Sequence, residues 1–522
     1  MSLLAGNFSP FLQCNISAFS SLLPTGASVN FAEAVPLNGS FGEGAANLEF
    51  PGNVTGLPSL CAVGIHVVSS NESAYNFALF LPSTWNGRTM TAGNGGFGGG
   101  IAYPDMAISS HYGFAALSTD TGHISSTFDG LWALNAPETL LDWGYRALHG
   151  SVVLGKELVA AYYGRELEYS YYAACSTGGR QGFKEVEEFP DDFDGILVGA
   201  PAWWTTHLQT WTVQIGKVNQ PADAAYHIPP MLFSIIRNEV LKQCDPQDGL
   251  RDEIISDPYG CTFDPTTLLC SASSNSSCLT GDQLVTLHKF YSDWVDTNQT
   301  FVFPGLALGA ELSPITGPTG QPVTLGTDFV RYFLLNDTNW NWENFDYSIV
   351  QKAEEVNPGN ATADNFDLGP YQSRGGKVIQ YHGLADNLIP TGSSIYFHQQ
   401  VQQTMDTDLD AFYRLFLVPG MGHCSGSSNA PWYIGAANQE LAGATHSVPG
   451  FEDAQHDAIL SLVQWVENGT APEKIIATKF RNETALGGVE RQRPLCVYPK
   501  QAKYTGSGDQ DAAENWECKS LY

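Results

Sequence analysis

The chain has 522 residues, 43% of them apolar and 12% aromatic, enough for a large buried core or for more than one ordinary domain. It carries 54 Asp and Glu against 24 Lys and Arg, a net charge of −30, which repels phosphate backbones and anionic headgroups and argues against nucleic-acid and membrane partners. No apolar run reaches the roughly 18 residues of a membrane span, and the 53 Gly and 29 Pro fall in loops rather than in low-complexity tracts or repeats.

The start of the chain reads as a mature or trimmed form, because no Lys or Arg precedes Arg88 and Asn7 interrupts the short apolar opening. From about residue 75 strands and helices alternate. Tyr75–Pro82 reads as a strand, and Met90–Ala92 leads into the glycine run Gly93–Gly100. Phe114–Ser118 is a further strand, Pro137–Tyr163 a helix opened by Pro137-Glu138, and Leu167–Ala174 a Tyr-rich strand ending at Cys175-Ser176. Gly179–Phe189 resumes helical periodicity and Gly195–Gly199 is a buried strand. Residues 204–370 break the rhythm, with four cysteines and a Trp- and Asn-rich stretch. Alternation returns at Lys377–His382, Phe412–Val418 and a helix near Asp453–Asn468. The fold class is therefore α/β with a mostly parallel sheet. Residues 1–203 and 371–522 form one core of the α/β-hydrolase kind, and 204–370 an inserted lid.

Compartment is read from two signals. Ten cysteines without metal-type spacing suit disulfides. Eleven Asn-x-Ser/Thr sequons, at Asn7, Asn15, Asn38, Asn53, Asn71, Asn275, Asn298, Asn336, Asn360, Asn468 and Asn482, exceed the roughly four that chance would give. Both point to a secreted glycoprotein.

Three residues carry candidate chemistry. Ser176 lies where a strand meets a helix, in Ala174-Cys175-Ser176-Thr177-Gly178-Gly179, a relaxed form of the G-x-S-x-G elbow with Ala174 in the first Gly position. A serine before Gly-Gly is also a common turn. Asp386 follows the strand Lys377–Gln380, where a triad acid belongs, although an Asp there also forms turns. His423 sits in Pro419-Gly420-Met421-Gly422-His423-Cys424 after Phe412–Val418, a loop that suits a general base but that also solvates ordinary histidines. The order Ser, Asp, His raises all three, since it is the chain order of α/β-hydrolases. His382, on the same loop as the acid, is given a structural role. Cys175 precedes Ser176 and Cys424 follows His423, so a hydrogen-bonded Ser–His pair would bring the two thiols within disulfide range. Such a bridge would close about 250 residues, worth about 5 kcal/mol in the chain-entropy model.

The Cys-Ser-Thr-Gly-Gly, Gly-Leu-Ala-Asp and Gly-His-Cys motifs resemble those of the fungal tannase and feruloyl esterase family. The resemblance implies Ser176 as nucleophile, His423 as base, Asp386 as orienting acid and a Cys175–Cys424 bridge. Around Cys244–Ile254 three carboxylates flank a glycine turn, as a solvated acidic loop or a hard-cation site would. The family's calcium loop is similar, which implies a structural Ca2+ held by Asp245, Asp248 and Asp252 with the carbonyls of Leu250 and Ile254. Local closure suggests Cys244–Cys261, Cys270–Cys278 and Cys496–Cys518, which leaves Cys14–Cys61.

The oxyanion hole is assigned to the Thr177 N–H and to Gly95 or Gly96. The glycine run lacks a helix-opening G-x-G-x-x-G or a Lys-Ser/Thr ending, so nucleotide binding is set aside and no organic cofactor is expected. An aromatic acyl pocket has candidates in Trp203, Trp204 and Trp211, at least two of which are assigned to the core. The family implies phenolic esters as substrates, small or polysaccharide-linked. The compact insertion, without a Lys-Arg processing site, resembles feruloyl esterases more than the larger tannases, and tannase is the alternative. A silent hydrolase-fold binding protein is the rival from another class, and homodimerisation is left open.

Overall fold

The protein is described here as a computed structural model covering residues 12–271, 277–313, 320–427 and 429–520; the sequons at Asn7 and Asn275 lie outside these segments. Nine strands share one sheet: β1 (Ala27–Val35), β2 (Leu60–Val68), β3 (Ala74–Pro82), β4 (Arg88–Ala92), β5 (Ala115–Thr119), β6 (Tyr169–Cys175), β7 (Gly195–Gly199), β8 (Lys377–Gly383) and β9 (Tyr413–Val418). Their spatial order is β1-β2-β3-β5-β4-β6-β7-β8-β9. From β5 to β9 every neighbouring pair is parallel, while β1, β2 and β3 add antiparallel strands at one edge. The helices used below are α1 (Ala147–Tyr163), α2 (Thr177–Glu188), α3 (Thr205–Lys217), α4 (Phe233–Cys244), α5 (Gly392–Met405) and α6 (Ala458–Asn468).

The central strands are apolar on both faces because both faces are covered. Along β6, Tyr172 and Ala174 enter a cluster with Leu148 and Val152 of α1, Phe183 of α2 and Phe397 of α5. Tyr171, Ala173 and Cys175 enter the opposite cluster with Ile459, Leu462 and Trp465 of α6. Each of these large side chains contributes about 1.5–3 kcal/mol on leaving water.

The helix expected over Pro137–Tyr163 is present but widens to a π-turn at Asp142–Arg146. The cause is local. Gly144 packs on the Gly359 carbonyl, where a Cβ would stand 1.9 Å from the oxygen. The buried Arg180 guanidinium donates to the carbonyls of Trp143 and Gly144 within the widened turn.

β7 and β8 are adjacent and in register, Gly195 facing Lys377 and Gly199 facing Tyr381, yet residues 200–376 separate them in the chain. This insertion has apolar clusters of its own, one around Trp211, Ile236 and Phe303 and another around Phe329, Phe333 and Trp340. Both clusters also take in core side chains, Ile389 in the first and Phe97 and Trp143 in the second. The insertion is thus sealed onto the loops at one end of the sheet. Disulfides join Cys14–Cys61, Cys175–Cys424, Cys244–Cys261, Cys270–Cys278 and Cys496–Cys518. No helix among the described residues is long and apolar enough to cross a membrane.

Candidate active site

Four loops at the carboxyl ends of parallel strands converge here: Gly93–Gly100 after β4, Ser176 after β6, Asp386 after β8 and His423 after β9. Ser176 adopts φ 65° and ψ −124°, a left-handed conformation that costs a non-glycine residue on the order of 1–3 kcal/mol. The turn is held by the Ser176 N–H donating to Gly199 O at 2.9 Å and by Ala202 N–H donating to Ser176 O at 3.0 Å. The glycines that follow are required by close approach. A Cβ on Gly178 would stand 2.5 Å from the Ala174 methyl, and one on Gly179 2.6 Å from Gly199 O. No side chain caps α2 and its first turn carries no acid, so its N-terminal dipole and N–H groups are left to a developing negative charge.

Asp386 is fully buried. Its Oδ2 accepts from His423 Nδ1 at 2.7 Å, and its Oδ1 accepts from the N–H groups of Leu388 at 2.8 Å and Ile389 at 2.9 Å. Burial alone would raise its pKa, but the charge at His423 and the hydrogen bonds from His382 and His423 hold it well below the usual carboxylate range. His382 lies within β8 rather than on the loop of the acid, and it does reach Asp386. Its Nε2 lies 3.1 Å from Asp386 Oδ2 and 3.0 Å from Ile389 O, and its Nδ1 lies 2.6 Å from Ser394 Oγ. Gln380 Nε2 donates to that hydroxyl at 2.6 Å. With Gln380 donating to it, the Ser394 hydroxyl is free to donate to Nδ1, which suits Nε2 donating to the acid.

The Cys175–Cys424 bridge spans 5.9 Å between Cα atoms and ties the residue before Ser176 to the residue after His423. Ser176, Thr177, Gly96 and His423 line one narrow cavity of about 40 Å³, walled by Leu208 and Trp211 of α3 and by Leu325. Of the three tryptophans, Trp211 therefore faces the site, while Trp203 and Trp204 stack on each other at 5.0 Å within the packing against α5.

The glycine loop corrects one expectation. The Gly95 N–H donates to Glu49 Oε1 at 2.6 Å and is not available to an oxyanion. Asn94 N–H is taken by Gln181 Oε1 at 3.0 Å and Phe97 N–H by Thr127 O at 2.9 Å. Gly96, between them, makes no N–H hydrogen bond among the described residues and lines the cavity with Ser176. Its φ of +54° and the Thr127 carbonyl, 2.3 Å from where a Cβ would be, restrict the position to glycine. Sequence reasoning misses Glu49, because it lies in an N-terminal loop without a motif. Burial pushes its carboxyl up to about 8, against the pull of the Gly95 and Asn94 donors.

The family model for tannase and feruloyl esterase matches residues 53–519. The chain belongs to that family. It is 36% identical over 472 residues to a probable feruloyl esterase B-1 of Aspergillus oryzae, covering 89% of this chain and 85% of the relative. The crystal structure of feruloyl esterase B from Aspergillus oryzae superposes with a TM-score of 0.89 at 34% identity, covering 97% of this chain and 99% of that one. Tannin acyl hydrolase from Aspergillus niger shares the fold, with a TM-score of 0.74 at 24% identity over 97% of this chain and 95% of that one.

In this member of the tannase and feruloyl esterase family, the loop singled out for a cation follows α4. Asp245 accepts the N–H groups of Asp252 and Glu253, both at 3.2 Å. Asp248 is fully buried and accepts from Leu250 N–H at 2.9 Å and Ser256 Oγ at 2.6 Å. Asp252 Oδ2 is turned to Arg493 at 2.7 Å and Arg491 at 3.1 Å, while its Oδ1 is buried without a hydrogen-bond donor. Burial raises the pKa of Asp245 and Asp248, and the neighbouring carboxylates, Asp252 among them, raise both further. The oxygens of these three carboxylates do not all come within 4.8 Å of one another, and the buried, unpaired Asp252 Oδ1 is the feature of the loop that fits a hard cation. Gly249 at φ 97° and Glu253 at φ 62° turn the loop.

Proposed function

We propose that this chain is a secreted serine esterase of phenolic acids, and specifically a feruloyl esterase. The observation that carries the reading is the bridged pair itself: a strained serine elbow disulfide-linked to the loop of a histidine whose Nδ1 is held by a buried carboxylate at 2.7 Å. In the mechanism this supports, Ser176 attacks the ester carbonyl while His423 takes its proton. Asp386 holds the imidazole tautomer and stabilises the imidazolium. The carbonyl oxygen becomes an oxyanion between the N–H groups of Thr177 and Gly96. His423 returns the proton to the departing alcohol, and water then releases the acid by the same steps in reverse. His382 positions Asp386.

Ferulate is favoured over gallate because the relatives at 36% identity are named as feruloyl esterases, whereas the tannin acyl hydrolase is more distant, at 24%. Residues 204–370 act as the lid, with Leu208, Trp211 and Leu325 forming the apolar wall that would meet the aromatic ring. Asp245, Asp248 and Asp252, with the Leu250 and Ile254 carbonyls, hold a structural Ca2+ in that lid. Secretion and glycosylation are supported by the five disulfides and by Asn38, Asn53, Asn71, Asn298, Asn336, Asn360, Asn468 and Asn482, all exposed.

The test is hydrolysis of methyl ferulate, methyl caffeate and methyl gallate by wild type and Ser176→Ala. A cinnamate preference is expected, with kcat lowered at least about 10⁴-fold in the variant. Preference for gallate would make the enzyme a tannase, and undiminished turnover by the variant would remove the mechanism.

A further inference from the structure

Away from the catalytic residues, one cluster of ionisable side chains stands apart. His149 near the start of α1, Glu185 toward the end of α2 and Asp192 in the turn from α2 into β7 each offer one ligand atom, and the three atoms lie within 4.8 Å of one another. No other group of His, Cys, Asp and Glu among the described residues converges in this way. His149 Nδ1 stands 2.7 Å from Asp192 Oδ2, and the imidazole stacks on Phe189 at 3.6 Å. The stack fixes the plane of the ring, and the contact fixes which edge faces the carboxylates.

Glu185 is the member that calls for an explanation. It is 1% exposed, and neither of its oxygens has a hydrogen-bond donor. Burial, and then the charge of Asp192 beside it, push its pKa up. The cation that acts on it, Lys156, is committed to the Asp192 main-chain carbonyl. A buried carboxyl without a donor persists where a proton or a metal ion completes it. A proton shared with Asp192 would engage one Glu185 oxygen and leave the other bare. A doubly charged ion neutralises both carboxylates at once and uses the imidazole edge as well.

The donor set selects the ion. One imidazole with two carboxylates and no thiolate suits Zn2+ and its divalent neighbours, whereas Ca2+ takes oxygen ligands alone. Ligands about 2.0–2.2 Å from one ion stand up to about 4.4 Å apart, so at most a few tenths of an ångström of adjustment closes the set. The His149 side chain is 32% exposed, which gives the ion a path from solvent and a water as fourth ligand.

We propose that His149, Glu185 and Asp192 form a structural site for a divalent transition-metal ion of the Zn2+ kind. The ion ties α1 to the far end of α2, the helix that opens at Ser176, and to the turn before β7. The site is separate from the acidic loop of the insertion and does not depend on the esterase reading.

The experiment strips the full chain of metals, returns it to saturating Ca2+, and titrates Zn2+ by calorimetry into wild type, Glu185→Gln and His149→Phe, the last of which keeps the stack on Phe189. Wild type is expected to bind one Zn2+ per chain and to unfold several degrees higher with it, and each variant to bind at least about tenfold more weakly. Co2+ in place of Zn2+ is expected to give visible absorption bands that His149→Phe loses. If Glu185→Gln does not fold, the part-exposed His149→Phe decides alone. Zn2+ binding that persists in every folded variant would place the ion elsewhere and overturn the site. Wild type that binds no Zn2+ would overturn it too, leaving a proton shared between Glu185 and Asp192.

Discussion

The ends of the parallel strands and the inserted segment meet over one site but are built on different terms. At the strand ends each functional residue is fixed several times over. Ser176 is pinned by backbone bonds to Gly199 and Ala202, Asp386 by three donors besides His423, and His423 by the bridge through Cys424. The insertion offers side chains from α3, α4 and intervening loops, held by two local disulfides and the acidic loop. Bond breaking tolerates little displacement, so its residues sit on rigid elements. Selection of a substrate needs only walls of suitable chemistry, which loops supply and can vary.

Three perturbations probe that difference. The largest effect is expected from breaking the core half. Replacing both Cys175 and Cys424 by Ser removes a link across 249 residues and should cost about 2–5 kcal/mol of stability, together with a large loss of kcat. Thermal unfolding and turnover on methyl ferulate would measure it, and a variant as stable and active as wild type would show that strand-end packing alone holds serine and histidine in register. A smaller effect is expected at Glu49. With its carboxyl group gone, Glu49→Ala should release the Gly95 N–H and loosen the loop that presents Gly96, lowering kcat about 10–100-fold at little change in KM. Glu49→Gln, which keeps an acceptor oxygen, should recover most of the rate. If Glu49→Ala instead changes KM alone, the loop binds substrate and does not stabilise the oxyanion. The smallest effect falls on the insertion. Chelation of calcium should lower the unfolding temperature of the folded enzyme by a few degrees while leaving kcat on methyl ferulate nearly unchanged. An immediate loss of activity on chelation would mean that the acidic loop shapes the site directly.

Much of the core half is legible in the sequence, for a definite reason. β6, β8 and β9 are short apolar runs that end in Cys-Ser, Gly-Leu-Ala-Asp and Gly-His-Cys, so strand end and functional residue coincide along the chain. β1 is harder to read, because its burial alternates only from Ala27 to Phe31 and then loses the period, and period-two patterning at an antiparallel edge is weaker than a continuous apolar run. The π-turn at Asp142–Arg146 has no local signal at all, since its cause lies in Arg180 and Gly359, far along the chain.

The sequence by itself determined the parallel core, the order Ser176, Asp386, His423, and the local disulfides, since each depends on neighbours along the chain or on a motif beside a strand end. Tertiary structure alone decided which glycine offers its N–H, that His382 braces the acid, and which tryptophan faces the site. Those outcomes depend on contacts such as Gly95 with Glu49, 46 residues apart. Nothing in local periodicity encodes such contacts; they follow from how the insertion closes over the sheet.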